Sequence, residues 1–202
     1  MANKDHSLDK KIVAAARAEF MEHGFQNASL RKIADRAGIT TGALYTRYKN
    51  KDGLFCSLVE TALGEISKNF EPMRNNYILV KENASADKLI QVIRQEERVY
   101  LDILYEFYDE CILFLCRSDG SSVSLRMQNL MANKATETVA YLKSIAKKEF
   151  DADGIEFLLS EQFHYYKKIL EKGFSKERAV RCMKTVENFL EAGWRNLFEK
   201  IL

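Results

Sequence analysis

A single proline, Pro72, and nine glycines in 202 residues leave this chain few ways to stop a helix. Proline removes a backbone donor and crowds the preceding turn, and glycine loosens the backbone. Their scarcity predicts an all-α protein. Leu8, Ile12, Ala16 and Phe20 recur every four residues and form one apolar stripe, which Gly24 ends. Ser29 is placed to cap a short second helix with Ile33, Ala34 and Ala37 turned inward, ended by Gly38. Thr40 caps a third short helix reaching about Tyr48. A fourth starts at Lys51, buries Leu54, Phe55, Leu58 and Val59, and runs to about Pro72. Residues 75–84 have no clear period and read as a loop or a frayed helix end. Helices follow over 85–117, bent into two pieces, and over 125–150, 155–171 and 175–200, about nine in all.

Charge is unevenly distributed. Residues 1–53 hold ten Lys/Arg and six Asp/Glu, whereas the rest holds 21 and 23, so the positive excess lies at the N-terminal end. That is where a nucleic-acid partner is expected to bind. Two short helices joined at Gly38 have the form of a helix-turn-helix, whose second helix enters the major groove. The second helix turns Ser29, Arg31, Lys32 and Arg36 outward, and the third offers Thr40, Thr41, Gly42, Tyr45, Thr46 and Arg47. The third-helix set is free of acidic side chains, as a surface facing phosphates requires.

The run Ser29-Leu30-Arg31-Lys32-Ile33-Ala34, then Ala37-Gly38-Ile39-Thr40-Thr41-Gly42-Ala43-Leu44-Tyr45 and Tyr48-Lys49-Asn50-Lys51-Asp52-Gly53-Leu54, closely resembles the TetR/AcrR family of one-component regulators. Ala15-Ala16-Arg17 through Phe20 and Gly24-Phe25 resemble that family's first helix, so the likeness covers about Ile12 to Phe55. The resemblance implies that Thr40, Thr41, Gly42 and Tyr45 meet bases and phosphates. It implies that Arg31 reaches a base edge, for which the O6/N7 pair of guanine is suited. Ser29 and Lys51 match phosphate clamps. Arg47 stands where the family varies. Tyr48 replaces a frequent Phe, its hydroxyl free to reach phosphate or to sit at the rim.

The resemblance divides the chain into a three-helix DNA-binding domain over 1–55 and a helical effector-binding and dimerisation domain over 56–202, joined by the fourth helix. In the last helix Ala179, Met183, Val186, Leu190, Gly193 and Leu197 are spaced four and three apart, a seam suited to another helix. Leu158, Gln162, Tyr165 and Ile169 keep the same rhythm. These residues are read as a homodimer interface, the other reading being burial within one subunit. Tyr100, Leu104, Phe107, Tyr108, Cys111, Met127, Met131, Phe157 and His164 are candidates for an apolar effector pocket, and filled core is the other reading. Asp102, Glu106, Asp109 and Glu110 form an acidic row beside them.

Catalysis has no support here. His6, His23 and His164 lack metal-ligand spacing, and phosphate-binding loops and nucleophile elbows are missing. The cysteines Cys56, Cys111, Cys116 and Cys182 match neither a zinc module nor a redox pair and read as reduced thiols. No cofactor, metal or membrane association is expected, and a cytoplasmic location follows from the lack of a signal-like N-terminus. The expected function is sequence-specific transcriptional regulation: a dimeric repressor released from a palindromic operator by an unidentified small molecule. A ligand-independent DNA-binding accessory regulator and a helical protein-interaction module stay open.

Overall fold

The computed structural model describes residues 6–202, with the side chains of residues 6, 69–75 and 78 outside the description. Nine α-helices form among the described residues: α1 His6–Asn27, α2 Leu30–Ala37, α3 Thr41–Arg47, α4 Lys51–Val80, α5 Ala86–Glu106, α6 Tyr108–Cys116, α7 Ser122–Ile145, α8 Ala152–Glu171 and α9 Lys176–Ile201. A 3-10 turn, Lys81–Asn83, links α4 to α5.

Local chemistry sets most boundaries. Gly24 has φ 69° and ψ 170°, so α1 breaks there and resumes for one short turn. Ser29, Thr40, Ser85, Asp151 and Ser175 cap α2, α3, α5, α8 and α9, each side chain accepting from the backbone N–H three residues on. Gly38, at φ 72°, closes α2 in the left-handed conformation that a side chain disfavours.

Two boundaries differ from the sequence reading. The fourth helix, expected to end near Pro72, continues to Val80, so residues 75–80 take the helix-end alternative rather than the loop. Tyr77 and Val80 pack against the core of the C-terminal half, and that burial outweighs the lost hydrogen bond at proline. The helix break expected at 151–154 falls earlier, because Asp151 caps Gly154 N–H at 3.0 Å and starts α8 at Ala152.

The chain forms two compact units. The first comprises residues 1–62 together with 109–127, and the second comprises 63–108 with 128–202. Ile12, Ala16, Phe20, Ile33, Leu44, Leu54 and Phe55 are buried in the first. There the Phe20 and Phe55 rings meet edge to face at 4.9 Å. The second unit centres on Leu89, Ile90, Leu142, Trp194 and Phe198, with α5 lying along α9.

Candidate functional site

Three helices of the first unit make one braced surface. Glu19, buried in α1, accepts the Ser29 N–H at 3.1 Å and so fixes the start of α2. Thr40 Oγ1 accepts the Ala43 N–H at 3.1 Å and fixes the start of α3. Arg47 at the end of α3 donates to Asp9 of α1 at 3.0 Å. Outward from this frame Arg31, Lys32, Arg36, Thr40, Gly42, Tyr45 and Lys49 are exposed. Thr41 and Tyr48 are half-buried. The Tyr48 phenol is raised above its usual range, by burial first and by Asp9 second.

Three proposed contact residues, Lys51, Arg47 and Ser29, are engaged within the chain. Lys51 donates to the carbonyls of Gln26 at 2.9 Å and Ala28 at 3.2 Å, and lies over the Phe25 ring at 4.9 Å. Its ammonium has three donors, so one N–H remains for a phosphate. Arg47 is held by Asp9. Ser29 is occupied by its own cap and by Glu19.

Sequence reasoning missed the segment 109–127 that completes this unit. Phe25 N–H donates to the Arg117 carbonyl at 2.7 Å, and Arg117 Nε donates to the Met21 carbonyl at 2.9 Å. Glu110 pairs with Arg17 at 2.6 Å, so this member of the acidic row braces α1. Asp102 meets Lys176 at 2.9 Å. Asp52 accepts both the backbone N–H and the hydroxyl of Ser122, at 2.8 and 2.6 Å, tying the start of α4 to the start of α7.

The second unit encloses a cavity with about 40 Å³ of open space at its centre. Its walls include Tyr77, Tyr100, Phe163, Tyr166, Trp194 and Phe198, with Glu96, Glu97 and Lys134 among them. Glu96 is buried and accepts from Lys134 at 3.1 Å and from the Tyr77 hydroxyl at 3.3 Å. Lys134 lies over the Tyr100 ring at 4.7 Å. Burial first, and then Glu96, holds the Tyr77 and Tyr100 phenols well above their usual range. Burial, then the facing Glu187 carboxyl, pushes Glu97 up to about 8.

Of the nine residues expected in a pocket, only Tyr100 lines this cavity. Leu104, Cys111 and Met127 are buried elsewhere, and burial pushes the Cys111 thiol up to about 12. Phe107 ends α5, Tyr108 begins α6 and stacks on Tyr105, and Met131 is half-buried. Phe157 and His164 face outward. In the proposed dimer seam, Ala179, Met183 and Ile169 are buried in the chain's own core. Gln162, Val186 and Leu190 line the cavity, and Leu197 packs on the core. Leu158, Tyr165 and Gly193 are exposed.

The raised Glu97 carboxyl gives a measurable pH dependence. Folded protein keeps a proton here that the unfolded chain releases near 4.5. This stabilisation is complete below that value and is lost as pH rises to about 8. Glu97→Gln is expected to flatten that part of the decline in thermal midpoint between about pH 5 and 8. Unchanged slopes in wild type and variant would refute this assignment.

An acid-free α3 set against α1 and α2 has the form of a helix-turn-helix. Residues 12–58 match the family model described as bacterial regulatory proteins, tetR family. Among curated relatives, the fatty acid metabolism regulator protein of Bacillus subtilis is 32% identical over 84 residues, 41% of this chain and 40% of that protein. The probable acrEF/envCD operon repressor of Escherichia coli is 39% identical over 46 residues, 23% of this chain and 21% of that protein. The match thus spans less than half the length of either of these curated relatives. Over nearly its whole length the fold is similar to a TetR-like transcriptional regulator from Rhodococcus, with TM-score 0.58 at 17% identity, covering 94% of this chain and 95% of that one. It is also similar to MexZ of Pseudomonas aeruginosa, with TM-score 0.55 at 16% identity, covering 95% and 93%. Residues 12–58 thus carry the sequence pattern of the tetR family, and the chain as a whole has a fold similar to that of TetR-like regulators.

Proposed function

We propose that the protein is a dimeric transcriptional repressor that a small molecule releases from a palindromic operator, without enzymatic activity of its own. The observation that carries this reading is the exposed α2–α3 surface, where Arg31, Gly42 and Tyr45 stand clear on a frame fixed by Glu19, Thr40 and Asp9. Arg31 reads a base edge while Tyr45, Thr41 and the remaining Lys51 donor position the helix on phosphates.

The dimer face is proposed on α8 and α9. Among the described residues, five of the eight large exposed apolar side chains lie there: Phe157, Leu158, Tyr165, Val180 and Phe189. On α9 an uncharged stripe of exposed residues, Cys182, Thr185, Phe189, Ala192 and Asn196, runs at helical spacing. A second copy covers such a face by two-fold symmetry. An exposed apolar patch of this kind marks an interaction surface.

The cavity is the effector site in this reading. Its open space is far below the several hundred Å³ of a drug-sized ligand. An effector therefore enters only by moving side chains and the helices that carry them, which makes its binding energy available for a conformational change. The chain passes between the units at three points, near residues 62, 108 and 127. A displacement in the second unit has the α6–α7 segment as well as α4 through which to reach α1.

Mobility-shift titration with the DNA upstream of the protein's own gene tests the reading, and no shift at low salt would overturn it. Arg31→Ala is expected to cost about 1–3 kcal/mol on the cognate site and little on scrambled DNA. Lys51→Ala is expected to weaken both sequences alike. It also lowers the thermal midpoint, because it removes the hydrogen bonds to Gln26 and Ala28. Equal losses on cognate and scrambled DNA for Arg31→Ala would remove its base-reading role.

A further inference from the structure

The cavity of the second unit carries a charge imbalance. Lys134, from α7, is matched by Glu96 at 3.1 Å. Glu97, the next residue of α5, also lies on the wall. From α9, Glu187 brings a second carboxyl against it, and Lys184 stands 3.1 Å from Glu187. Tyr166 of α8 and Tyr77 of α4 face the same group as phenols kept neutral by burial. Three carboxyls, Glu96, Glu97 and Glu187, thus meet two ammonium groups, Lys134 and Lys184. Two facing carboxyls resist ionising together, and a proton retained on the pair supplies the missing positive charge. The rings around them already hold one cation: the Lys134 ammonium lies 4.7 Å from the Tyr100 centroid and 6.0 Å from that of Phe163.

We infer that the cavity binds an organic cation with an aromatic or quaternary ammonium group, which takes its place beside Glu97 among the aromatic rings and displaces the proton of the Glu97–Glu187 pair. An anion there meets the carboxyls unfavourably, and a neutral molecule displaces no proton. The exchange balances in charge: one cation enters and one proton leaves to solvent. Affinity therefore rises with pH, up to tenfold per unit, until Glu97 is ionised at about 8, and then levels off. The inference names the ligand class of the effector site proposed above and rests on that reading for its regulatory meaning.

Three probes of nearly one shape test it on the full chain without DNA: benzyltrimethylammonium, its neutral carbon analogue neopentylbenzene, and the anion phenylmethanesulfonate. The sole tryptophan, Trp194, lines the cavity and reports occupancy by fluorescence. Calorimetry in two buffers of different ionisation enthalpy counts the protons released. At pH 8.5 the cation is expected to bind at least tenfold more tightly than the neutral analogue, with the anion weakest. Proton release is expected to be near one at pH 7 and to vanish by pH 9.5. Glu97→Gln is expected to lower cation affinity at least tenfold, abolish the pH dependence and leave the neutral probe unchanged. Glu187→Gln repeats the test if the first variant fails to fold. Equal binding of cation and neutral analogue, preference for the anion, no binding of any probe, or an unaltered pH profile in the variants would each overturn the inference. Cation binding by a protein that never shifts operator DNA would overturn the repressor reading instead, and the reverse result would spare it.

Discussion

In the proposed dimer, Phe189→Glu is expected to yield a folded monomer and to lower operator affinity more than a hundredfold. Phe189 is 81% exposed in the single chain, so its replacement removes almost no contact within the fold. The effect falls on the partner face. Burying a phenylalanine contributes about 1.5–3 kcal/mol, and leaving a carboxylate unpaired in an apolar interface costs several more. A two-fold interface carries the substitution twice. A monomer reads one half-site, so the second set of base and phosphate contacts is lost as well. Light scattering is expected to show half the mass with unchanged helicity. A variant that keeps the dimer mass would remove Phe189 from the interface.

The seam on α9 shows where sequence periodicity stops informing. Ala179, Met183 and Leu190 recur at four and seven residues, which says that this stripe faces a helix but not whose helix. In the structure their own chain takes it: Ala179 and Met183 are buried, and α5 lies along α9. The outward stripe through Phe189 carries one large apolar residue among small neutral ones and gives a weak hydropathy signal. The pocket was obscure for a similar reason. Aromatic and sulfur-containing residues clustered over 100–116 share a stretch of sequence, but α5 ends at Phe107, so Tyr100 and Cys111 belong to different helices and different compact units.

The helix-turn-helix was readable because its determinants are local. The caps at Ser29 and Thr40 and the left-handed turn at Gly38 act within four residues. What braces it is not local. Glu19 reads as a solvated carboxylate in an amphipathic helix, yet it is 1% exposed and holds Ser29 ten residues away. The Arg17–Glu110 and Arg117–Met21 contacts join residues more than ninety apart. No period or turn signal encodes such pairings. Glu19→Leu is expected to destabilise the first unit by about 1–3 kcal/mol, because Ser29 N–H loses its acceptor. Hydrogen exchange at α2 amides measures this, and unchanged protection would rule it out.

Gly42→Ala is expected to leave the fold intact, or slightly more stable, while lowering operator affinity by one to two orders of magnitude. A glycine inside a helix sacrifices up to about 1 kcal/mol relative to alanine. Among the described residues nothing accounts for that loss at Gly42. Its φ is not positive, and a Cβ built there meets only Thr40 Oγ1, at 3.9 Å, an ordinary contact. Gly38, by contrast, sits at φ 72°, where its own backbone demands glycine. A Cβ at Gly42 would therefore be felt by a partner that comes close to the backbone in the first turn of α3. In the proposed complex this is the DNA, and an added methyl holds the helix away from the groove. Crowding of that kind costs about 1–3 kcal/mol in packed interiors. The substitution changes no charge, so the salt dependence of binding is expected to keep its slope while the whole line shifts to weaker affinity. Thermal melting and a salt titration of the same variant separate the two roles. A variant that binds the operator as tightly as wild type would place the DNA elsewhere than against the first turn of α3.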